Sequence, residues 1–145
     1  MSARLLSVGR FIDKSKKILF TFNGKKLSGF KGDTLASALL ANDQLLIGRS
    51  FKYHRQRGIV SSGSEEPNAL MNLGEGAMLE PNQRATTTEL FQGLSATSQN
   101  HWPSLEFDIG AINKYLSRLL PVGFYYKMFI HQASIQSENQ PHFHK

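Results

Sequence analysis

The chain has 145 residues, of which 40% are hydrophobic, and a formal net charge of +6; this length suits one domain with a core and is too short for two. Because it contains no cysteine, disulfides, thiolate metal ligands and cysteine nucleophiles are excluded. No apolar run approaches the roughly 20 residues of a membrane-spanning helix, and no secretory signal is evident, so we expect a cytoplasmic protein.

The charge is distributed unevenly along the chain. Residues 1–60 carry twelve Lys or Arg and three Asp, whereas residues 61–145 carry five basic and eight acidic side chains. A basic half favours an anionic partner, such as a nucleic acid, a phosphate-bearing cofactor or an acidic protein face. From charge alone, a solvated surface without a partner is the simpler interpretation. We predict that residues 1–17 form a flexible basic N-terminus.

A β-hairpin is the first predicted element. Residues 18–22 are β-branched or aromatic, as expected of a strand. The pair Asn23-Gly24 follows, and it favours a type I′ turn because both central residues of that turn need a positive φ. Residues 25–30 then form the predicted return strand.

A short helix is predicted directly after the hairpin. Asp33 can cap it by accepting the free N–H groups of the first turn, and the helix ends at Asn42. Its apolar stripe consists of Leu35, Ala36, Ala38 and Leu39. A hairpin followed at once by a helix is typical of the β-grasp fold, an α+β architecture in which a sheet wraps one helix. We therefore predict a β-grasp domain over residues 18–93.

The rest of the predicted sheet comes from shorter segments. Its expected elements are a short buried strand or turn at 45–47, a strand at 69–73, and a final threonine-rich strand at 85–90. A turn is predicted at Pro81-Asn82. Residues 49–68 lack periodicity and form a long loop, and loops of this length in compact domains are usually functional.

The character of the sequence changes at residue 94. We predict an extension over residues 94–130 that packs on partner domains, with a helix at about 109–120 that Asp108 caps. An apolar cluster that a small domain cannot bury alone follows, and it includes Phe124, Tyr125, Tyr126 and Phe129. Residues 131–145 are polar and are predicted to form a disordered tail.

The segment 51–57, with the sequence FKYHRQR, interleaves aromatic and cationic side chains. Such a run can stack on bases and neutralise phosphates, brace a partner protein, or contact the phosphate of a cofactor. Strand alternation gives a structural alternative, in which Phe51 and Tyr53 face the core and the charges face water. Both interpretations stay open from the residues alone.

No active-site motif accompanies this run. His54 and His101 are isolated, so a structural hydrogen bond is the simpler role for each. No His-Glu-x-x-His motif and no closely spaced set of carboxylates indicates a metal site. Glu65 and Glu66 are adjacent on the loop and are interpreted as partners of nearby arginines in surface ion pairs. The residues on their own indicate no catalytic group.

Several segments in order resemble one known family. They are GDTLASALLAN at 32–42, GRSFKYHR at 48–55, GSEEPNAL at 63–70, ATSQN at 96–100 and GFYYK at 123–127. Together they resemble the N-terminal domain of the alpha subunit of heterotetrameric sarcosine oxidase, over about residues 20–130. That subunit continues into a Rossmann domain and a folate-binding domain. We therefore expect this chain to be a truncated product, a fragment or a stand-alone relative.

The resemblance also concerns a metal cluster. In related dehydrogenases this domain is a ferredoxin-like module with a [2Fe–2S] cluster, and plant-type clusters use Cys-x4-Cys-x2-Cys with a distant fourth cysteine. When the module is matched to this chain, those first three positions fall at Ser61, Glu66 and Ala69. None of them is a thiolate. The resemblance therefore implies a ferredoxin-like fold with emptied cluster positions and no metal, retained as a structural cover.

By this resemblance the chain is part of an oxidoreductase and is not itself catalytic. The family complex oxidises the N-methyl group of sarcosine and transfers the one-carbon unit to tetrahydrofolate. It holds NAD, FAD and FMN, with NAD and folate bound by other parts of the alpha subunit. No cofactor is expected in this chain. Its expected partners are the rest of the alpha subunit and the beta, gamma and delta subunits, with no membrane.

Two surfaces of the chain are predicted to dock on those partners, because Arg and aromatic residues dominate protein interfaces. The positive face consists of Arg49, Lys52, Tyr53, Arg55 and Arg57, and the apolar face of Phe124, Tyr125, Tyr126 and Phe129. The alternative is a stand-alone module in which the same basic-aromatic run binds nucleic acid or another anionic partner.

Overall fold

The computed structural model describes Arg4 and residues 9–112 of the chain. In chain order these residues form β1 (Asp13–Phe22), β2 (Lys25–Lys31), α1 (Leu35–Ala41), β3 (Gly48–Arg49), β4 (Gln56–Arg57), β5 (Leu70–Leu73), β6 (Glu80–Arg84) and β7 (Ser95–Ser98). Short 3-10 helices lie at Gly76–Met78 and Ile109–Ile112. The predicted helix beyond residue 112, the apolar face around Phe124 and the tail 131–145 lie outside the described residues.

Five of the strands form one mixed sheet in the order β2-β1-β7-β5-β6. The central pair, β1 and β7, is parallel, and the other neighbouring pairs are antiparallel. The strands β3 and β4 form a separate two-stranded hairpin. In chain order, α1 lies between β2 and β5, the next strand of this sheet. A five-stranded mixed sheet with one such helix confirms the predicted α+β, β-grasp fold. No helix among the described residues is long and apolar enough to cross a membrane.

The first hairpin is confirmed, and it is longer than predicted. Asn23 and Gly24 have φ angles of 48° and 77°, which are the positive values that a type I′ turn requires. β1 begins at Asp13, so the predicted flexible N-terminus of residues 1–17 overlaps the strand. Arg4, further towards the N-terminus, donates two hydrogen bonds to Asp33, at 3.0 and 2.6 Å.

The helix α1 is confirmed, but its cap is Thr34 rather than Asp33. Thr34 and Ser37 form a capping box, in which each side chain accepts from the backbone N–H of the other. Asp33 is buried and accepts from the N–H of Phe30 and the hydroxyl of Ser37. Asp33 lies one residue before the N-cap position and therefore does not cap the helix. Its carboxylate instead links the hairpin, the helix and Arg4.

The core lies between α1 and one face of the sheet. The predicted helix stripe is fully or almost fully buried, and it joins residues of the central strands in one cluster, which contains Leu35, Ala36, Ala38, Leu39, Phe20, Phe22, Met71, Leu73 and Ala96. Burying each large aliphatic or aromatic side chain contributes about 1.5–3 kcal/mol. This single cluster is what fixes the helix on the sheet.

Four predictions about the segments after α1 differ from the structure. Residues 85–90 form a turn, because Thr87 and Thr88 donate their hydroxyls back to the carbonyl of Arg84. Pro81 lies within β6, an edge strand where its missing N–H is tolerated. The last strand is β7 in the segment assigned to the extension, so the sheet reaches beyond the predicted boundary at residue 93. Residues 45–47 form no strand.

Candidate functional site

The three positions that the resemblance assigns to cluster ligands lie in the loop between β4 and β5, which spans residues 58–69 and is named here the cluster loop. The loop is held from both sides. Ile59 packs against the core and Ala69 is fully buried within it, while the Thr86 hydroxyl donates to the carbonyl of Gly63 at 2.7 Å. Asn68 donates its side-chain amide to the carbonyl of Gly58 at 3.3 Å. Ser61, Glu66 and Ala69 therefore lie on an ordered loop with fixed ends.

Glu66 is the central residue of this loop. Its side chain is fully buried. One carboxylate oxygen, Oε2, accepts from the N–H groups of Val60 at 2.8 Å and Ser61 at 2.5 Å. The other oxygen, Oε1, accepts from the N–H of Asn68 at 2.9 Å. The three N–H groups of Val60, Ser61 and Asn68, named here the amide cradle, thus converge on one carboxylate.

The electrostatics of the cradle favour the ionised form of Glu66. Burial alone would raise the pKa of this carboxyl. Hydrogen bonds from the backbone of Asn68, Ser61 and Val60 act in the opposite direction and prevail, so the pKa lies below the usual glutamate value. At neutral pH the loop therefore encloses a carboxylate anion that is stabilised by backbone dipoles.

The residues of this loop do not fit a [2Fe–2S] cluster. A plant-type cluster is held by four cysteine thiolates, and even the Rieske type keeps two, whereas the chain has no cysteine. Both carboxylate oxygens of Glu66 already accept backbone N–H groups, and Ala69 carries no ligand atom. Within the described residues, no group of three or more His, Asp or Glu is placed to hold a metal ion.

A second buried charge, that of Arg49, lies on β3, before this loop in the chain. Arg49 is 8% exposed. Its guanidinium donates to the carbonyls of Leu105 at 2.8 Å, His54 at 2.8 Å and Glu106 at 3.0 Å. Its Nε also lies 3.6 Å from Asp108 Oδ2. The structure therefore removes Arg49 from the predicted positive face, because its donors are used inside the domain.

Asp108 completes this second site. Its carboxylate accepts from the N–H groups of Trp102 at 3.0 Å and Gly110 at 3.1 Å, and it lies 2.6 Å from His54 Nδ1. Burial raises the pKa of Asp108, but hydrogen bonds from the Trp102 N–H, the His54 side chain and the Gly110 N–H lower it below the usual aspartate value. Asp108 lies just before the 3-10 helix Ile109–Ile112, as its predicted capping role requires.

The two histidines have the structural roles that were predicted. His54 pairs with Asp108, and His101 Nδ1 lies 3.2 Å from the Ser98 hydroxyl. Ser98 and His101 line a cleft of about 490 Å³. Asn23 and Ser98 hydrogen-bond each other in that cleft, with the Ser98 N–H donating to Asn23 Oδ1 at 2.9 Å. These three polar side chains of the cleft are therefore already paired with one another.

The remaining cations of the predicted positive face lie on the turn and return strand of the β3–β4 hairpin. The turn is closed by Ser50, whose N–H donates to the Arg55 carbonyl at 2.9 Å. Lys52 Nζ and Arg55 Cζ lie 5.1 and 5.0 Å from the centre of the Tyr53 ring, within the range of a cation–π contact. Arg57 is exposed on β4. The structure therefore brings Lys52, Tyr53 and Arg55 together.

Sequence reasoning missed the role of Glu66. It was interpreted as a partner in a surface ion pair, and that prediction was wrong, because Glu66 is buried among backbone donors. Its exposed neighbour Glu65 accepts from the N–H of Gly63 at 3.2 Å. One signal was available, since Glu66 falls at a position where the resembled module has a metal ligand.

The chain matches the sequence profile of a known family. The sequence profile of the family described as "2Fe-2S iron-sulfur cluster binding domain" matches residues 15–101. This range contains β2 to β7 and all of β1 except its first two residues.

The chain is also similar to curated sarcosine oxidase subunits. The chain is 55% identical to sarcosine oxidase subunit alpha of Rhizobium meliloti (strain 1021) over 135 residues, which are 93% of this chain and 14% of that protein. It is 42% identical to the subunit alpha of Corynebacterium sp. (strain U-96) over 94 residues, which are 63% of this chain and 10% of that protein. The first match is longer than the range 20–130 expected from the motifs.

One solved structure shows a limited likeness. The crystal structure of L-proline dehydrogenase from P.horikoshii has a TM-score of 0.49 and 24% sequence identity, and the match covers 62% of this chain and 17% of that chain.

Proposed function

The chain belongs to the 2Fe-2S iron-sulfur cluster binding domain family, and we propose that it serves as a non-catalytic assembly domain in a protein related to sarcosine oxidase subunit alpha. The loop that would bind a cluster is preserved as a fold element, but it has lost its metal ligands. The rest of the domain is a β-grasp sheet with its helix and the charged β3–β4 hairpin, which is named here the outer hairpin.

The observation that carries this proposal is the amide cradle around Glu66. A loop that had only lost its ligands would leave buried backbone donors without partners, at a cost of about 1–3 kcal/mol for each group. Here Glu66 satisfies three of them, and Ala69 packs in the core. Both oxygens of Glu66 are therefore used to hold the loop together, which supports a structural role for this loop rather than electron transfer.

The activity of the whole protein is part of the proposal, since the chain spans only 14% of its Rhizobium relative. By its similarity to sarcosine oxidase subunit alpha, it would act in the oxidative demethylation of sarcosine in the cytoplasm. NAD, FAD, FMN and tetrahydrofolate would be bound by the rest of the alpha subunit and by the beta, gamma and delta subunits.

The docking surface that we propose is the outer hairpin, with Lys52, Tyr53, Arg55 and Arg57. Three of these side chains are already grouped by cation–π contacts, so less side-chain entropy is lost when a partner binds. Exposed Arg and half-buried Tyr are also typical of interface centres. The apolar face of Phe124, Tyr125, Tyr126 and Phe129 remains part of the proposed surface, although it lies outside the described residues.

Co-expression with the other subunits tests this assembly role. The double variant Arg55→Glu with Arg57→Glu should reduce co-purification of the subunits roughly ten-fold or more, because two attractive contacts become repulsive. The matched control is Lys17→Glu with Lys26→Glu, which reverses two exposed charges on the first hairpin and should leave assembly unchanged. Undiminished assembly of the Arg55 and Arg57 variant would contradict the docking surface. Purified chain should also contain no stoichiometric iron and no visible charge-transfer absorption.

The second candidate is a nucleic-acid-binding module, which the exposed cations of the outer hairpin favour. It predicts binding to single strands that weakens steeply with salt. The structure gives an argument against base stacking, because Lys52 and Arg55 already lie over the Tyr53 ring. Binding of a labelled oligonucleotide at low ionic strength, with affinity falling linearly in log salt, would favour this candidate over assembly.

A further inference from the structure

The donors of the amide cradle come from both ends of the cluster loop. Val60 and Ser61 lie near its start and Asn68 near its end, and all three N–H groups reach one carboxylate at 2.5 to 2.9 Å. Backbone N–H groups that point to one place form an anion-binding concavity. Without the carboxylate, these three donors would lose their acceptor inside the domain. The observed loop conformation therefore depends on an acceptor with two oxygen atoms at this point, and an anion suits the converging N–H dipoles best.

In a cluster-binding member of the family, hydrogen bonds from the protein to the cluster sulfurs are one of the factors that set the properties of the cluster. This chain has no cysteine with which to hold such a cluster. A negative group nevertheless occupies the centre of its loop, and that group is the side chain of Glu66.

We propose that the cluster loop of this chain is an anion-binding site whose resident ligand is the chain's own Glu66 carboxylate, which replaces the charge of a metal cluster and holds the loop closed. The site is selective for a carboxylate, because its donors are divided between two oxygen atoms. When the side chain of Glu66 is truncated, a small free carboxylate takes its place. This inference concerns the loop itself and does not depend on the docking surface.

The neighbouring glutamate supplies a matched control. Glu65 has the same side chain and is adjacent in sequence, but it is exposed. Its carboxylate accepts the N–H of Gly63 at 3.2 Å, and this N–H is not one of the three cradle donors. Truncation of Glu65 removes a negative charge from the same loop without opening the cradle. Any effect of net charge or ionic strength should therefore be equal in the two variants.

The first test is rescue of Glu66→Ala in the full 145-residue chain. Its melting temperature should fall by roughly 10 °C, and sodium acetate should recover about half of the loss with a saturable dependence. Sodium chloride at equal ionic strength should not. Glu65→Ala should show neither the loss nor the acetate effect. Acetate that stabilises Glu66→Ala no more than chloride does, or no more than it stabilises Glu65→Ala, would overturn the proposal.

The second test needs no variant, so it remains decisive if Glu66→Ala does not fold. Hydrogen exchange is measured by NMR on the unmodified chain. The amides of Val60, Ser61 and Asn68 should exchange roughly ten-fold or more slowly than the amide of Ser62 in the same loop. Protection should decrease in acid as the Glu66 carboxylate is protonated. Exchange of the three amides at the rate of Ser62 would show that no carboxylate closes the cradle.

Discussion

Two buried charges of opposite sign lie at the two ends of the segment 49–66, and each is neutralised in a different way. Glu66 is an anion whose partners are backbone N–H groups, whereas Arg49 is a cation whose partners are mostly backbone carbonyls. Burial of an unpaired charge would cost many kcal/mol. In both places the chain meets that cost with main-chain dipoles, and Arg49 gains one carboxylate, that of Asp108, in addition.

The two sites differ in the distance along the chain that they connect. The donors to Glu66 lie within six residues of it, so this side chain shapes its own loop. Two of the carbonyls that Arg49 contacts lie 56 and 57 residues away, so this side chain ties the outer hairpin to the segment after β7. The difference indicates that Glu66 has a local role and Arg49 a global one.

The largest expected effect is the loss of Arg49. Arg49→Met should lower the free energy of unfolding by about 3–5 kcal/mol, because it leaves buried carbonyls and a carboxylate without their donor. Urea denaturation measures this value. The control Arg57→Met, at an exposed position, should change it by less than about 0.5 kcal/mol. If the two variants are equally stable, Arg49 does not hold the two segments together.

Glu66→Gln should have the next largest effect, at about 2–3 kcal/mol in the same assay. The substitution keeps one acceptor oxygen but turns an amide N–H₂ towards backbone donors. Glu65→Gln is the control and should leave stability almost unchanged. The comparison of the two sites predicts that hydrogen exchange of Glu66→Gln speeds up only within the loop, whereas Arg49→Met accelerates it in residues 104–110 as well. If exchange speeds up in the same residues in both variants, Glu66 and Arg49 do not have separate local and global roles.

Acid should weaken both sites through their carboxyl groups. The pKa values of Glu66 and Asp108 are lowered in the folded state. Their stabilisation is therefore complete above the usual carboxyl pKa of about 4, and it is lost as the pH falls through the lowered values. Between pH 5 and pH 3, the unfolding free energy of the unmodified chain should fall more than that of Glu66→Gln by about 1–2 kcal/mol. Parallel pH profiles in urea denaturation would contradict this.

The smallest effect is expected at His54, on the rim of the Arg49 site. His54→Ala removes the contact with Asp108 at 2.6 Å, but Asp108 keeps its two backbone donors and Arg49. The loss should be about 1 kcal/mol. A loss as large as that of Arg49→Met would mean that the imidazole, and not the guanidinium, organises the site. His101→Ala serves as the comparison outside the site.

Local signals in the sequence predicted the local structure. The turn at Asn23-Gly24 and the apolar stripe of α1 depend on neighbouring residues, and both were found as predicted. β7 was missed because Ala96 is its only fully apolar residue and its partner β1 lies some seventy residues earlier. The threonines after Arg84 have high strand propensity, but their hydroxyls found a carbonyl within four residues and closed a turn.

The charged residues of the site were harder to predict for the same reason. An acidic pair on a polar loop is typical of a solvated surface, and nothing in the order of residues shows that three N–H groups converge on Glu66. Arg49 precedes the basic run 52–57 and looks like a member of it, yet two of the carbonyls that it contacts lie more than fifty residues away. Burial of a charge depends on the folded geometry, which composition and periodicity do not contain.

The position of β7 in the sheet has a consequence for synthesis on the ribosome. This strand lies between β1 and β5 and joins the early hairpin β1–β2 to the later hairpin β5–β6. Until Ser95–Ser98 has left the exit tunnel, the two hairpins have no shared strand, and Phe22 and Met71 have no complete core to enter. A nascent chain halted before this strand would expose both hairpins to chaperones. Synthesis of the four residues of β7 would then allow the hairpins to pair into one sheet.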